Sequence, residues 1–195
     1  MSEERKERFC ALYEGTRPRI IAYAMRRTRS PEDAADIVAE TFVIAWRKLD
    51  DIPPGHDGLL WLYVTARHVL ANHGRRLRRR DELTRWLADE LRGAELREQA
   101  QDEDSILALF CLNSLPAGER ELLMLAGWEG LSVVEISRVL GCSPTAARIR
   151  LHRARARLKA EIAEFATRER RPDPIKQAPD GGVPIRYTPR EAGEL

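Results

Sequence analysis

LSVVEISRVLGCSPTAARIRLHRARARL, residues Leu131–Leu158, decides how this chain folds. Ser132 and Glu135 have the Ser-x-x-Glu spacing of a capping box, in which each side chain satisfies an orphan backbone amide at a helix start. Gly141-Cys142-Ser143 then interrupts the helical period as a tight turn. Ser143 can cap a second helix with Pro144 at its first position, where the missing N–H is no loss. Helix, glycine-containing turn and helix make the helix-turn-helix layout, whose second helix suits a DNA major groove.

At about 100° per residue, Ala147, Leu151, Ala154 and Leu158 fall on one side of the second helix and form its buried stripe. Ile149, His152, Arg153 and Ala156 point the opposite way, with Arg148 and Arg155 on one flank. That face offers donors for phosphates and guanine edges, and an isoleucine for a thymine methyl. An ordinary amphipathic surface helix with solvated arginines would show the same period. The turn and the two caps are what favour DNA.

Charge supports this reading at a coarser scale. Charged residues make up 33% of the 195, yet the formal net charge is only +2. Met1–Arg80 carries 16 basic and 11 acidic residues, a net +5. Asp81–Ser105 carries 3 basic and 9 acidic, a net −6, and Ile106–Leu195 carries 14 basic and 11 acidic, a net +3. Two basic blocks around an acidic segment suggest two nucleic-acid-facing modules joined by a linker. Cys10, Cys111 and Cys142 are odd in number and scattered, so they imply buried thiols rather than a disulfide framework. MSEERKERF lacks the apolar core of a signal peptide, and no run approaches 18 apolar residues. A cytoplasmic location without membrane insertion follows as the expectation.

Along the chain the period is helical throughout, and the fold class expected is all-α. Phe9, Leu12, Tyr13, Ile20, Ile21, Tyr23, Ala24 and Met25 supply apolar faces for one or two helices, with Pro18 marking a start. Ser30-Pro31-Glu32-Asp33 combines a cap, a first-position proline and first-turn acids. The helix it opens buries Val38, Phe42, Ala45 and Leu49, leaving Asp36, Glu40, Arg47 and Lys48 elsewhere on its surface. Asp50–Gly58 is a loop by its Pro-Pro-Gly and Asp-Gly content. From Leu59 toward Arg80 a further helix buries Leu59, Tyr63, Ala66 and Leu70. Trp61, Thr65, His68, Asn72, Arg75 and Arg79 share its opposite face, an aromatic and polar set suited to unstacked bases. A basic helix end beside a partly buried tryptophan explains the same residues equally well. Two helices, Ile106–Leu115 and Pro116–Trp128, lead into the helix-turn-helix. Thr167–Leu195, with five prolines and Gly181-Gly182, reads as a flexible tail.

Taken together, these segments resemble the extracytoplasmic-function group of bacterial sigma factors. FCALYEGTRPRIIAYA, SPEDAADIVAETFVIAWRKL and LLWLYVTARHVLANHGRR match the group's region two, and SLPAGERELLMLAGWEGLSVVEISRVLGCSPTAARIRLHRARARL matches region four. The resemblance implies two small helical domains, residues 5–80 and 106–166, joined by an acidic linker over 81–105 and followed by a tail over 167–195. It implies binding to core RNA polymerase, through the clamp helices of the largest catalytic subunit and the flap, and to promoter DNA, with an anti-sigma factor as inhibitor. Asp36, Glu40, Phe42 and Trp46 would contact the polymerase, and Ala39 stands where the group usually has glutamine. The loop Ile52–Leu60 and the following helix match the part that captures unstacked bases of the minus-ten element. Trp61, Thr65, His68, Asn72, Arg75 and Arg76 are its candidate readers, His68 replacing a common asparagine and Asn72 a frequent aspartate. Thr145, Arg148, Ile149, His152 and Arg153 match the readers of the minus-thirty-five element, Thr145 replacing a frequent glycine and Ile149 a frequent serine. Asp102-Glu103-Asp104 in the linker could imitate nucleic acid, although solvation explains it as well.

Three function classes follow. The leading one is a promoter-specificity factor with no chemistry of its own. A helix-turn-helix regulator that does not replace a sigma factor is the alternative; it leaves the Asp33–Leu49 helix and the Trp61 face without a purpose. An enzyme is the third. His56, His68, His73 and His152 form no zinc-ligand pattern with the cysteines, and the chain has no Gly-rich phosphate loop or nucleophile elbow. No cofactor and no metal is implied.

Overall fold

The structure, a computed structural model, describes residues 3–80 and 103–169. Seven α-helices and one 3-10 turn make up the described elements: α1 Glu3–Met25, α2 Pro31–Arg47, the turn Leu49–Asp51, α3 His56–Arg80, α4 Glu103–Ser114, α5 Ala117–Gly127, α6 Val133–Leu140 and α7 Pro144–Glu169. Most of the acidic linker, 81–102, and the tail beyond 169 lie outside the described residues. The tail's first residues continue α7.

The starts expected from the sequence form as caps. The Ser30 hydroxyl accepts from the Asp33 amide at 3.1 Å, with Pro31 at the first position of α2. Ser143 does the same for Ala146 at 3.1 Å, ahead of Pro144 in α7. Two boundaries differ. Helix α3 begins at His56, inside the stretch 50–58 expected as a loop, three residues before Leu59. Pro18 lies inside α1, which runs unbroken where the sequence allowed a break. Burial of Ile20, Tyr23 and Ala24 beyond it, against α2 and α3, holds the two halves of the helix in line. Tertiary packing outweighs the local cost of the proline.

Helices α1, α2 and α3 pack together as the first half. Phe9, Tyr13, Phe42 and Trp46 form an aromatic cluster at one end, with Tyr13–Phe42 centroids 4.7 Å apart and Phe9–Trp46 5.1 Å apart, both edge to face. The buried arc of α2 is Ala34, Ile37, Thr41, Phe42 and Ala45, with Val38 half-buried, so the arc is wider than the expected stripe and rotated from it. The cause is that α2 touches both α1 and α3. Cys111 is buried as expected and Cys142 half-buried, but Cys10 is exposed on the outer side of α1.

In the second half, Leu122, Leu125, Leu131, Ile136, Val139, Ala147 and Leu151 are buried between α5, α6 and α7. The α6–α7 turn passes through Gly141 at φ 65°, the left-handed conformation that glycine adopts without strain. The two halves pack against each other. Side chains from both belong to one continuous apolar core, and α3 packs on α6. Tyr23 sits at the junction, where burial and then the Glu121 carboxylate push its phenol well above the ordinary range, so it remains a donor.

Candidate nucleic-acid and polymerase interfaces

Helix α7 presents the first surface. Ala147, Leu151 and Ala154 are buried against α5 and α6, and Leu158 is half-buried, as the period required. Thr145, Arg148, His152 and Arg153 are exposed, and Ile149 is 47% exposed, an unusual solvent position for its size. Arg157 is drawn aside into an ion pair with Glu119 at 3.2 Å. Arg148 and Arg153 make no ion pair among the described residues and remain available to an anion. The helix is aimed by its predecessor. Glu135 accepts from the Ser132 amide at 2.7 Å while the Ser132 hydroxyl accepts from the Glu135 amide at 3.3 Å, closing the capping box of α6. Hydrogen bonding by Ser132, with a smaller contribution from His56, pulls the Glu135 carboxyl down to about 2.

The second surface lies on α3 and the loop before it. Arg8 donates to the Ile52 carbonyl at 2.8 Å and Arg5 to that of Trp46 at 2.9 Å, fixing the approach to the loop. At Gly58 any side chain would come within 2.7 Å of the Pro53 carbonyl oxygen, so the loop folds tightly onto the start of α3. His68, Asn72 and Arg75 are exposed together, and Asn72 accepts from Arg75 at 2.5 Å. Two expected members of this face stand elsewhere. Thr65 is buried and donates its hydroxyl to the Trp61 carbonyl at 3.0 Å, and Trp61 is half-buried on the core. The reason is that α3 is covered by α1, α2 and α6, so its buried arc extends to Leu62, Thr65 and Val69. The side chain of Arg76 lies outside the described residues.

The third surface is the outer side of α2, where Asp36 and Glu40 are exposed as expected. Phe42 is 5% exposed and belongs to the aromatic cluster, and Trp46 is half-buried beneath Arg5, whose guanidinium lies 5.4 Å from its ring. Both rings pack in the aromatic cluster with Phe9 and Tyr13. Val43 is 47% exposed on the outer side of α2, between Glu40 and Arg47. Its register was available: 36, 40, 43 and 47 follow one helical face. Within the first half, His73 lies 3.4 Å from Asp33 and ties α3 to the first turn of α2.

The whole arrangement has known counterparts. The profile of sigma-70 region 2 matches residues 12–80, and that of sigma-70 region 4 matches residues 106–158. The RNA polymerase sigma factor CnrH of Cupriavidus metallidurans is 34% identical over 151 residues, spanning 72% of this chain and 79% of that one. The ECF RNA polymerase sigma factor SigF of Caulobacter vibrioides is 35% identical over 157 residues, spanning 80% and 82%. The solved structure of CnrH with the cytosolic domain of CnrY superposes with a TM-score of 0.57 at 27% identity, covering 80% of this chain and 88% of that one. That of the sigma factor RpoE from Bartonella quintana, in complex with the anti-sigma factor NepR, has the same TM-score at 23% identity, covering 83% and 98%, a likeness of fold. Both regions in order, and relatives above 30% identity over most of their length, place this chain in the extracytoplasmic-function group of the sigma-70 family.

Proposed function

We propose that this sigma factor divides promoter recognition and polymerase binding among the three surfaces. The exposed row Asp36, Glu40, Val43 and Arg47 docks on core RNA polymerase, with Phe42 and Trp46 supporting it from beneath. The loop 52–60, with the edge of Trp61 and with His68, Asn72, Arg75 and Arg76, holds unstacked bases of the minus-ten element. Thr145, Arg148, Ile149, His152 and Arg153 read the minus-thirty-five element in the major groove. The single observation that carries this reading is the solvent face of α7, where Arg148 and Arg153, without an ion pair among the described residues, flank an exposed isoleucine and histidine on a helix pinned by a buried stripe.

Arginine contacts to phosphate supply most of the affinity and make it fall with salt. Each good base contact adds about 1–3 kcal/mol of discrimination. Trapping flipped bases offsets a few kcal/mol of unstacking. The protein carries out no bond chemistry itself, works in the cytoplasm where polymerase and promoter are, and is restrained by an anti-sigma factor. No helix among the described residues is long and apolar enough to cross a membrane.

The test is transcription by purified protein and sigma-free core polymerase on a randomised promoter library. Start-site-specific transcripts enriched in two paired upstream motifs are expected. Duplex binding without any polymerase binding would refute the assignment and leave a helix-turn-helix regulator.

A further inference from the structure

The match to sigma-70 region 4 ends at residue 158, yet α7 runs on to Glu169. Its inner side carries the stripe of Leu151, Ala154 and Leu158 onward at helical spacing through Glu161, Ile162 and Phe165, all three half-buried. Phe165 packs on Phe110 of α4, with ring centroids 5.4 Å apart. Between these two helices lies a groove lined by Phe110, Cys111, Ser114, Glu161, Glu164 and Phe165. Two features leave it incomplete. Phe110 is 55% exposed, the highest value of any large apolar side chain among the described residues. Glu161 is a carboxylate set on an apolar stripe, and it makes no ion pair among the described residues.

The sequence beyond Glu169 holds a segment of matching chemistry. Residues 183–187, Val-Pro-Ile-Arg-Tyr, alternate apolar side chains at Val183, Ile185 and Tyr187, so an extended backbone puts all three on one side. Pro184 and Pro189 favour such a backbone and lower the entropy lost on docking. Residues 183–190 carry Arg186 and Arg190 and no acid, opposite in sign to Glu161 and Glu164. Pro179-Asp180-Gly181, just ahead of the segment, is a sequence signature of a turn. Reach is ample. The 13 residues 170–182 can span up to ~45 Å, whereas Phe165 lies only about one turn, ~6 Å, before Glu169. A tether this short holds the segment at an effective concentration on the order of millimolar, so even a contact that would be weak between separate molecules is substantially occupied.

We propose that the groove between α4 and the end of α7 is the docking site of this chain's own residues 183–187, with Ile185 and Tyr187 laid against Phe110 and Phe165 and Arg186 paired with Glu161. Burial of the aromatic and aliphatic side chains supplies the attraction, and the ion pair fixes the register. The docked segment covers the inner side of α7 past Leu158 and leaves the opposite face, with Ile149, His152 and Arg153, exposed. This docking goes beyond the promoter reading and does not depend on it.

The experiment is paramagnetic relaxation enhancement in the full chain, with a nitroxide on Ala192→Cys and with Cys10→Ser and Cys142→Ala. The amides of 110–114 in α4 should broaden. Tyr187→Ala, a change outside the described helices, should cut the docked-to-free ratio by about tenfold or more and restore those signals. Glu161→Arg and Arg186→Glu should each release the segment, and the two together should bring the broadening back, which a merely structural role of either residue would not produce. Broadening that is absent from the start, that persists in Tyr187→Ala, or that the charge exchange fails to restore would overturn the proposal. In a mixture of nitroxide-bearing protein with isotope-labelled protein lacking the nitroxide, α4 should stay sharp. Broadening there would give the groove to a second copy of the chain and refute docking within one molecule.

Discussion

Replacing Glu135 by glutamine keeps the size of the side chain and its place in the first turn of α6 but removes its charge. The carboxylate accepts the Ser132 amide at 2.7 Å and meets His56 at 2.5 Å. Its fall from an ordinary 4.5 to about 2 corresponds to ~3 kcal/mol at most, at ~1.36 kcal/mol per tenfold. Solvent reaches the group, whose side chain is 23% exposed, so screening leaves about 1–2 kcal/mol. The sign follows from a carboxyl held down in the folded state. Its contribution is complete above pH ~4.5 and is lost as pH falls through about 2. Urea unfolding of both proteins, followed by helical circular dichroism, should therefore show a gap of about 1–2 kcal/mol at pH 7 that shrinks by half or more at pH 3. A gap of equal size at both pH values would show that the charge is not what holds the helix start, and the argument would fail.

Leu151→Ala should destabilise the protein by about 2–5 kcal/mol, because Leu151 is 4% exposed beneath the recognition face; a loss under 1 kcal/mol in urea unfolding would contradict that packing. Val43→Glu should weaken core-polymerase binding in titration while changing stability by no more than ~0.5 kcal/mol, as expected of an exposed site; unchanged affinity would remove α2 from the interface. Arg153→Ala should cost about 1–3 kcal/mol of minus-thirty-five binding if it reads a base, or lower the salt slope by about one if it holds a phosphate; an unchanged isotherm at every salt concentration would refute both. His68→Asn should alter base preference in the minus-ten element across a randomised promoter pool, and an unchanged motif there would show that this face does not read sequence.

The helix-turn-helix was legible because everything that makes it is local. Ser132, Glu135, Gly141 and Ser143 each bond to a group three or four residues away, and α7 buries one stripe that its 3.6-residue period announces. Helix α3 was harder to read. Its exposed residues, His68, Asn72 and Arg75, were placed correctly, but one-sided periodicity cannot foresee three neighbours, and Thr65 went to the wrong side. The same limit hid that Phe42 is buried and Trp46 half-buried while Val43 is exposed.

By itself, then, the sequence determined the helices, their caps and the faces of those with a single buried stripe, since short-range hydrogen bonds and period carry that information. The tertiary structure decided how far burial wraps around α2 and α3, and that α1 continues through Pro18. It also decided that the halves dock through Arg27, Glu121 and Glu129, residues 94 and 102 positions apart. Coulomb attraction and desolvation depend on distance in space and not along the chain, so no local pattern of residues can announce such a pairing.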